Sequence, residues 1–338
     1  MTSGNGESPI KRKVQVTGGS TYTVSLPKDW AGKQGIESGS TVNLYSREDK
    51  LLVSKGEYDS EKLSVKIEAN SREPGDLARS VAAAYIAGCE EIRVEGMLDN
   101  DQRRGIRDAV TGLVGIEIHE EGESFIVGRT MLDVGDLSPE QTLVQMELTA
   151  LSMHEDAVDA VIEGDAEKGM RVARQDDDVD RLFGLICREF QRSLVNVGVP
   201  MRAGGLTKFE YYTAARQLER IADHAEKIAE VAERAGSSPP AEIGERFDAL
   251  GERSRDLVER SVTGLLEGEG TDELGEIIVD ADELEEKAEE LDRELYERGT
   301  EDGYLFGTVL DSIVRTTEYG VNITEAGLQV SMRGTDGR

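Results

Sequence analysis

Hydrophobic residues along this chain change period twice. From Lys11 to about Gly56 they alternate, as in half-buried strands. "KVQVTGGSTYTVSLP" predicts two strands around a Gly-Gly turn, "KDWAGKQGI" a short helix, and "TVNLYSREDKLLVSKG" a second hairpin. Between residues 60 and 135 strand and helix patterns mix. "LSVKIEA" and "EIRVEG" read as strands, "GDLARSVAAAYIAG" and "DNDQRRGIRDAVTGL" as helices, and "GIEIHEEGESFIVGRTML" as a closing strand pair. From Ser138 onward the spacing is helical almost to the end. Ser138 as N-cap, Pro139 at the first helical position and Glu140 just inside make a strong start signal. Breaks at "EGDAEKG", "NVGVPMRAGG", "AGSSPPAE", "LEGEGTDE" and "RGTEDG" delimit six helices, three on each side of "SSPP". The expectation is an α+β multidomain chain. Its parts are a β domain over 1–58, a small α/β domain over 59–136, and helical bundles over 137–236 and 241–332. Residues 1–10 read as a flexible tail.

The two helical stretches repeat one another. "AVDAVIEGD" (157–165) matches "SVTGLLEGE" (261–269) in apolar placement and in its Glu-Gly break. "DDVDRLFGLICRE" (177–189) matches "DELEEKAEELDRE" (282–294), and "LERIADHAEKIAE" (218–230) matches "IVRTTEYGVNITE" (313–325). A duplicated three-helix unit follows, each copy expected to bury one apolar face against its own partners.

Charge sharpens the division. The chain carries 69 Asp+Glu against 39 Lys+Arg, a net charge of -30 over 338 residues. Residues 1–60 hold eight Lys/Arg and seven Asp/Glu, a net of +1, so the remainder carries -31. Only 12 of the basic residues are Lys. Abundant carboxylates with few Lys and few aromatics fit a halophilic protein from a salt-loaded cytoplasm, where self-repulsion is screened. No apolar run approaches the roughly 20 residues of a membrane span, and "MTSGNGESPI" has no signal core, so a cytoplasmic location is expected. Two Cys and three His exclude a disulfide framework and a His-rich metal site.

Carboxylates then gather on two helices. Beside the apolar stripe of residues 216–230 runs a second stripe of Glu219, Asp223, Glu226 and Glu230, although like charges one turn apart weaken a helix. Asp176 and Asp180 stand one turn apart on the preceding helix, next to Asp177. If the two helices pack side by side, four hard oxygen donors face each other and could hold a divalent or trivalent cation or a small cluster. The plainer alternative is a solvated acidic face, with Asp223 paired to Lys227 on its own helix. His224 is either a fifth ligand or a histidine at the bundle edge. No His has Glu three positions before it, which argues against oxygen-activating di-iron chemistry.

"LERIADHAEKIAE" resembles the signature helix of the phosphate-uptake regulator (PhoU) family, and "QDDDVDRL" its helix-two pattern. The resemblance covers roughly residues 138–330. It implies duplicated three-helix bundles whose carboxylate pairs bind iron or zinc clusters, with magnesium also possible, and it places Asp176, Asp180, Glu219 and Asp223 as ligands. In the second copy Ala281 and Glu285 replace Asp176 and Asp180, and Val314 and Glu318 replace Glu219 and Asp223. One competent metal site and one vestigial one are therefore expected.

The first 58 residues resemble the AbrB/SpoVT/MazE-like swapped-hairpin domain. The resemblance rests on the basic opening strand, the Gly-Gly turn, "VSLPKDW", "GIESGSTVNLY" and a hydrophobic last strand. It implies a homodimer of interdigitated chains. The DNA-facing candidates are Lys11, Arg12 and Lys13 on the first strand, with Lys28 and Lys33 after the turn.

Together the resemblances imply a non-enzymatic regulator of phosphate uptake that contacts DNA and a phosphate transporter or sensor protein. The alternatives are a dimeric adaptor that does not bind DNA and, with no nucleophile–base pair or phosphate-cradling loop behind it, a metal-dependent phosphohydrolase.

Overall fold

A computed structural model describes residues 9–47, 50–55, 63–131, 138–195, 201–299 and 302–334. The chain divides into two compact units, Met1–Glu61 and Lys62–Arg338. Most of the expected tail and the expected border at residue 58 lie outside the described residues.

The first unit consists of two hairpins and a helix. Strands β1 (Gln15–Thr17) and β2 (Thr21–Thr23) pair antiparallel across the Gly-Gly turn, with Val16 opposite Tyr22. Helix α1 (Lys28–Lys33) follows, then β3 (Asn43–Arg47) and β4 (Lys50–Ser54), with Leu44 opposite Val53. None of its described residues is buried. Val14, Val16 and Tyr22 are 63%, 64% and 79% exposed. Two small hairpins with outward apolar residues do not close a core within one copy of the chain.

The second unit opens with a four-stranded sheet. Strands β5 (Ser64–Glu68) and β6 (Glu91–Glu95) are parallel and joined through helix α2 (Pro74–Ile86). Helix α3 (Asn100–Thr111) leads to β7 (Ile116–Gly122) and β8 (Phe125–Thr130), and the spatial order is β5-β6-β8-β7. The elements are those the alternation predicts. Leu77, Val81, Tyr85, Ile106 and Val110 from the two helices meet Ile92, Val94 and Ile126 of the sheet in one core. The face turned away from the helices is tiled with ion pairs, among them Lys66–Glu95 at 2.5 Å and Arg129–Glu91 at 2.7 Å.

Seven helices follow among the described residues, one more than expected. They are α4 (Pro139–Glu163), α5 (Ala166–Ala173), α6 (Asp176–Val195), α7 (Lys208–Arg234), α8 (Ala241–Glu267), α9 (Thr271–Arg298) and α10 (Gly303–Gly334), with a short hairpin of β9 (Arg202–Ala203) and β10 (Leu206–Thr207) before α7. The extra helix arises because the second helix of the first unit breaks at Arg174–Gln175, whereas its counterpart α9 is continuous. The break puts Asp176, Asp177 and Asp178 in the first turn of a new helix, where the helix dipole favours negative charge. The duplication is plain elsewhere. Both α4 and α8 end on a left-handed glycine, Gly164 at φ 69° and Gly268 at φ 71°.

One expectation is corrected. The two copies do not bury their apolar faces separately, because a single hydrophobic cluster runs from Leu143 on α4 to Ala326 on α10. Helix α4 packs against α8, and α7 against α10. The reason lies in α7, whose buried residues include Ala214, Leu218, Ile221, Ala222, Ala225, Ile228, Ala229 and Val231. They point to α4, to α5 and α6, and to α10. An apolar surface wider than one stripe needs partners on more than one side. Among the described residues, no helix is long and apolar enough to cross a membrane.

Candidate functional site

With three sides of α7 covered, the fourth carries the acidic stripe. Helix α6 runs antiparallel beside it, as the Phe183–Tyr212 and Phe190–Phe209 ring contacts fix. That register sets the first turn of α6 against the middle of α7, so Asp176 and Asp180 lie on the same side as Glu219 and Asp223. Asp176 and Asp180 from α6 interact electrostatically with Asp223 from α7, and Asp180 also with Glu219.

The surroundings oppose ionisation. Burial, reinforced by Asp180, Asp223, Glu226 and Asp177, pushes the Asp176 carboxyl up to about 7. Burial followed by Asp223 raises Asp180, and burial followed by Asp223 raises Glu219 against the opposing pull of Arg216. Burial and then Glu230 raise Glu226. Two oxygens here, Asp176 Oδ1 and Glu219 Oε2, are buried and find no hydrogen-bond partner among the described residues. Burying an ionised oxygen without a partner is costly. Arg216 Nη1 meets the other oxygen of Glu219 at 3.4 Å. Arg216 escaped the sequence reading, although its i,i+3 spacing to Glu219 is a readable signal.

This set of donors, all hard oxygens, suits a cation in chemistry. In position it is not closed: among the described residues no three His, Cys, Asp or Glu side chains converge closely enough to coordinate one ion. The proposed pairing of Asp223 with Lys227 does not form. Lys227 Nζ lies instead 3.4 Å from His224 Nε2. His224 itself turns to α10, with Nδ1 3.1 Å from Ser312 Oγ and its ring edge-on to Tyr319. It is a buried histidine where α7 packs against α10. Burial, then Lys227, lowers its pKa to about 4.

The second copy keeps only one carboxylate at each pair of corresponding positions. Ala281 is buried in the core and Val314 packs against it. Glu285 and Glu318 still face each other closely enough for Glu318, after burial, to raise Glu285. Arg315 forms an ion pair with Glu318 at 2.7 Å.

In the N-terminal unit, Lys11, Arg12 and Lys13 precede the paired strand instead of lying on it, because the ladder starts only at Gln15. Lys28 and Lys33 open and close α1. All five side chains are exposed, and none forms an ion pair with another described residue.

Comparison with known proteins places two segments of the chain beside known families. Residues 143–232 match the family model "PhoU domain", and residues 15–60 match "Antidote-toxin recognition MazE, bacterial antitoxin". The phosphate transport system regulatory protein PhoU from Streptococcus pneumoniae superposes with a TM-score of 0.51 at 16% identity, covering 58% of this chain and 94% of that one. PhoU from Pseudomonas aeruginosa superposes with a TM-score of 0.50 at 20% identity, covering 58% and 96%. No curated protein matches the sequence significantly. The segment holding Asp176, Asp180, Glu219 and Asp223 thus matches the PhoU domain model and shares the fold of these two PhoU proteins, on one chain with a segment that matches the MazE model.

Proposed function

We propose that the protein is a phosphate-responsive regulator of phosphate uptake that attaches to DNA as a homodimer and binds a metal ion on its first helical unit. The observation that carries this reading is the union of two modules in one chain. A segment that matches the PhoU domain, with two buried carboxylate oxygens that find no hydrogen-bond partner among the described residues, is joined to a MazE-like unit whose Lys11, Arg12, Lys13, Lys28 and Lys33 are exposed and form no ion pair with a described residue. Asp176, Asp180, Glu219 and Asp223 would hold the ion, iron or zinc before magnesium, and a bound cation would offset their mutual repulsion. The partner in signalling would be a phosphate transporter or its sensor protein. The role is binding and regulation, not catalysis.

A mobility-shift assay at high potassium chloride, with DNA from upstream of phosphate-transport genes, tests the DNA reading. Wild type should shift the DNA and Lys11→Ala/Arg12→Ala/Lys13→Ala should not. No shift by wild type would favour a dimeric adaptor, a reading supported by the exposed apolar residues of the hairpins, which suit chain pairing without DNA. Elemental analysis tests the metal. Iron or zinc should co-purify with wild type and fall to background in Glu219→Ala/Asp223→Ala, with the helical circular dichroism unchanged.

A further inference from the structure

The four carboxylates of the first helical unit share very little positive charge. Among the described residues, Arg216 is the cation that forms an ion pair with any of them, from Nη1 to Glu219 Oε1 at 3.4 Å. Other cations nearby are engaged elsewhere. Arg181 pairs with Asp178 at 3.7 Å, Arg220 lies over the Tyr319 ring at 5.7 Å, and Lys227 meets His224. The hold of Arg216 on Glu219 is loose. It is a single contact near the outer limit of a hydrogen bond, and 41% of the arginine side chain is open to solvent. Glu219 Oε2 finds no hydrogen-bond partner among the described residues, and neither does Asp176 Oδ1. The guanidinium also lies 5.4 Å from the centre of the Phe183 ring on α6, a second resting place that needs no carboxylate.

The second helical copy carries a counter-charge of this kind in completed form. Its two helices keep one carboxylate each at these positions, and Arg315 Nη1 lies 2.7 Å from Glu318 Oε2. Among the described residues, neither Glu285 nor Glu318 is left with a buried oxygen that lacks a partner. Arg315 corresponds to Arg220, which in the first copy lies over Tyr319, so Arg216 one turn earlier takes the role. There four carboxylates remain, the arginine is held at longer range, and two oxygens are left over. We infer that Arg216 is a tethered counter-cation that competes with a metal ion for Glu219, and so sets how tightly the first site binds. A cation entering among Asp176, Asp180, Glu219 and Asp223 needs the Glu219 carboxylate and meets the repulsion of a neighbouring positive charge. Arg216 must therefore give up Glu219, and the Phe183 ring receives the guanidinium when it does. The inference rests on the metal reading above and adds a positioning residue to it.

The test is calorimetric titration of full-length, chelator-stripped protein with Zn2+, for wild type, Arg216→Gln and Arg216→Lys. Glu219→Ala/Asp223→Ala supplies the background for zinc bound elsewhere. Arg216→Gln should bind zinc about fivefold more tightly than wild type, the upper range for release of an exposed ion pair. Arg216→Lys, which keeps the charge, should stay near wild type. Melting curves add a readout that needs no bound metal. With chelator present Arg216→Gln should melt below wild type, because the carboxylates have lost their counter-charge, and saturating Zn2+ should close the gap. Zinc binding by wild type with unchanged affinity in Arg216→Gln would overturn the inference and leave the metal reading standing. Equal tightening in Arg216→Lys would overturn it too, since the positive charge would then play no part. So would an Arg216→Gln protein that melts with or above wild type in chelator. Zinc held no better by wild type and Arg216→Gln than by the background variant would overturn this inference and the metal reading together.

Discussion

Arg188 shows how much one side chain can settle. It is 2% exposed, on the helix that carries Asp176 and Asp180. Its guanidinium donates to the carbonyls of Tyr85 at 2.5 Å and Cys89 at 2.9 Å, at the C-terminal end of α2, and stacks over the Tyr85 ring. It thus places a cation where the helix dipole is negative, on a Tyr85 carbonyl that also accepts from Gly88 N–H and a Cys89 carbonyl that also accepts from Thr130. Nη2 reaches Thr130 on β8 at 3.3 Å. The sheet is thereby tied to α6. Arg188→Met keeps much of the volume but removes the charge-assisted hydrogen bonds to two buried carbonyls, and should cost about 3 kcal/mol in urea unfolding. Nothing in the sequence marks Arg188 among 27 arginines, because its partners are backbone atoms about a hundred positions away. The carboxylate pairs were legible for the opposite reason, since their repulsion is local and periodic.

At the scale of elements, the crossing of α4 with α8 buries ionisable groups that face across the two copies. Glu147 on α4 is 7% exposed, and burial, then Glu259 on α8, pushes its carboxyl up to about 7. His154, two turns along α4, is fully buried with Nδ1 3.4 Å from Arg255, and its pKa is lowered to about 3 by burial and then by Arg255. The folded state therefore takes up the Glu147 proton between the ordinary value of 4.5 and about 7. Stability from this group is greatest below that window, declines as pH rises through it, and is lowest above it. His154 works the other way, costing stability as pH falls below its ordinary 6.5. Glu147→Gln should raise the melting temperature at pH 8, with the gain over wild type shrinking towards zero at about pH 4.5. A gain independent of pH would mean that the carboxyl is not buried in solution. Helix periodicity gave the elements, but the α4–α8 crossing was not legible. An apolar stripe says that a helix is covered, not by which neighbour.

For the whole molecule, the two units stand in different condition. The hairpin unit has outward apolar residues and, among those described, no buried ones. Val16→Asp/Tyr22→Asp should convert a dimer to a monomer by light scattering, with the thermal transition of the helical unit unchanged. The composition break and the duplication can be read from the chain, because charge and spacing are carried along the chain itself. That the sheet and both helical copies share one compact unit was not readable, since it depends on contacts such as those of Arg188 and on the single cluster from α4 to α10. That shared cluster has a practical corollary. Halves of the protein divided at Ser237-Ser238 and expressed as separate polypeptides would each expose the apolar sides of α4 and α7 or of α8 and α10, and so would find each other. Such halves would serve as a split reporter, reassembling in the cell with no covalent link between them.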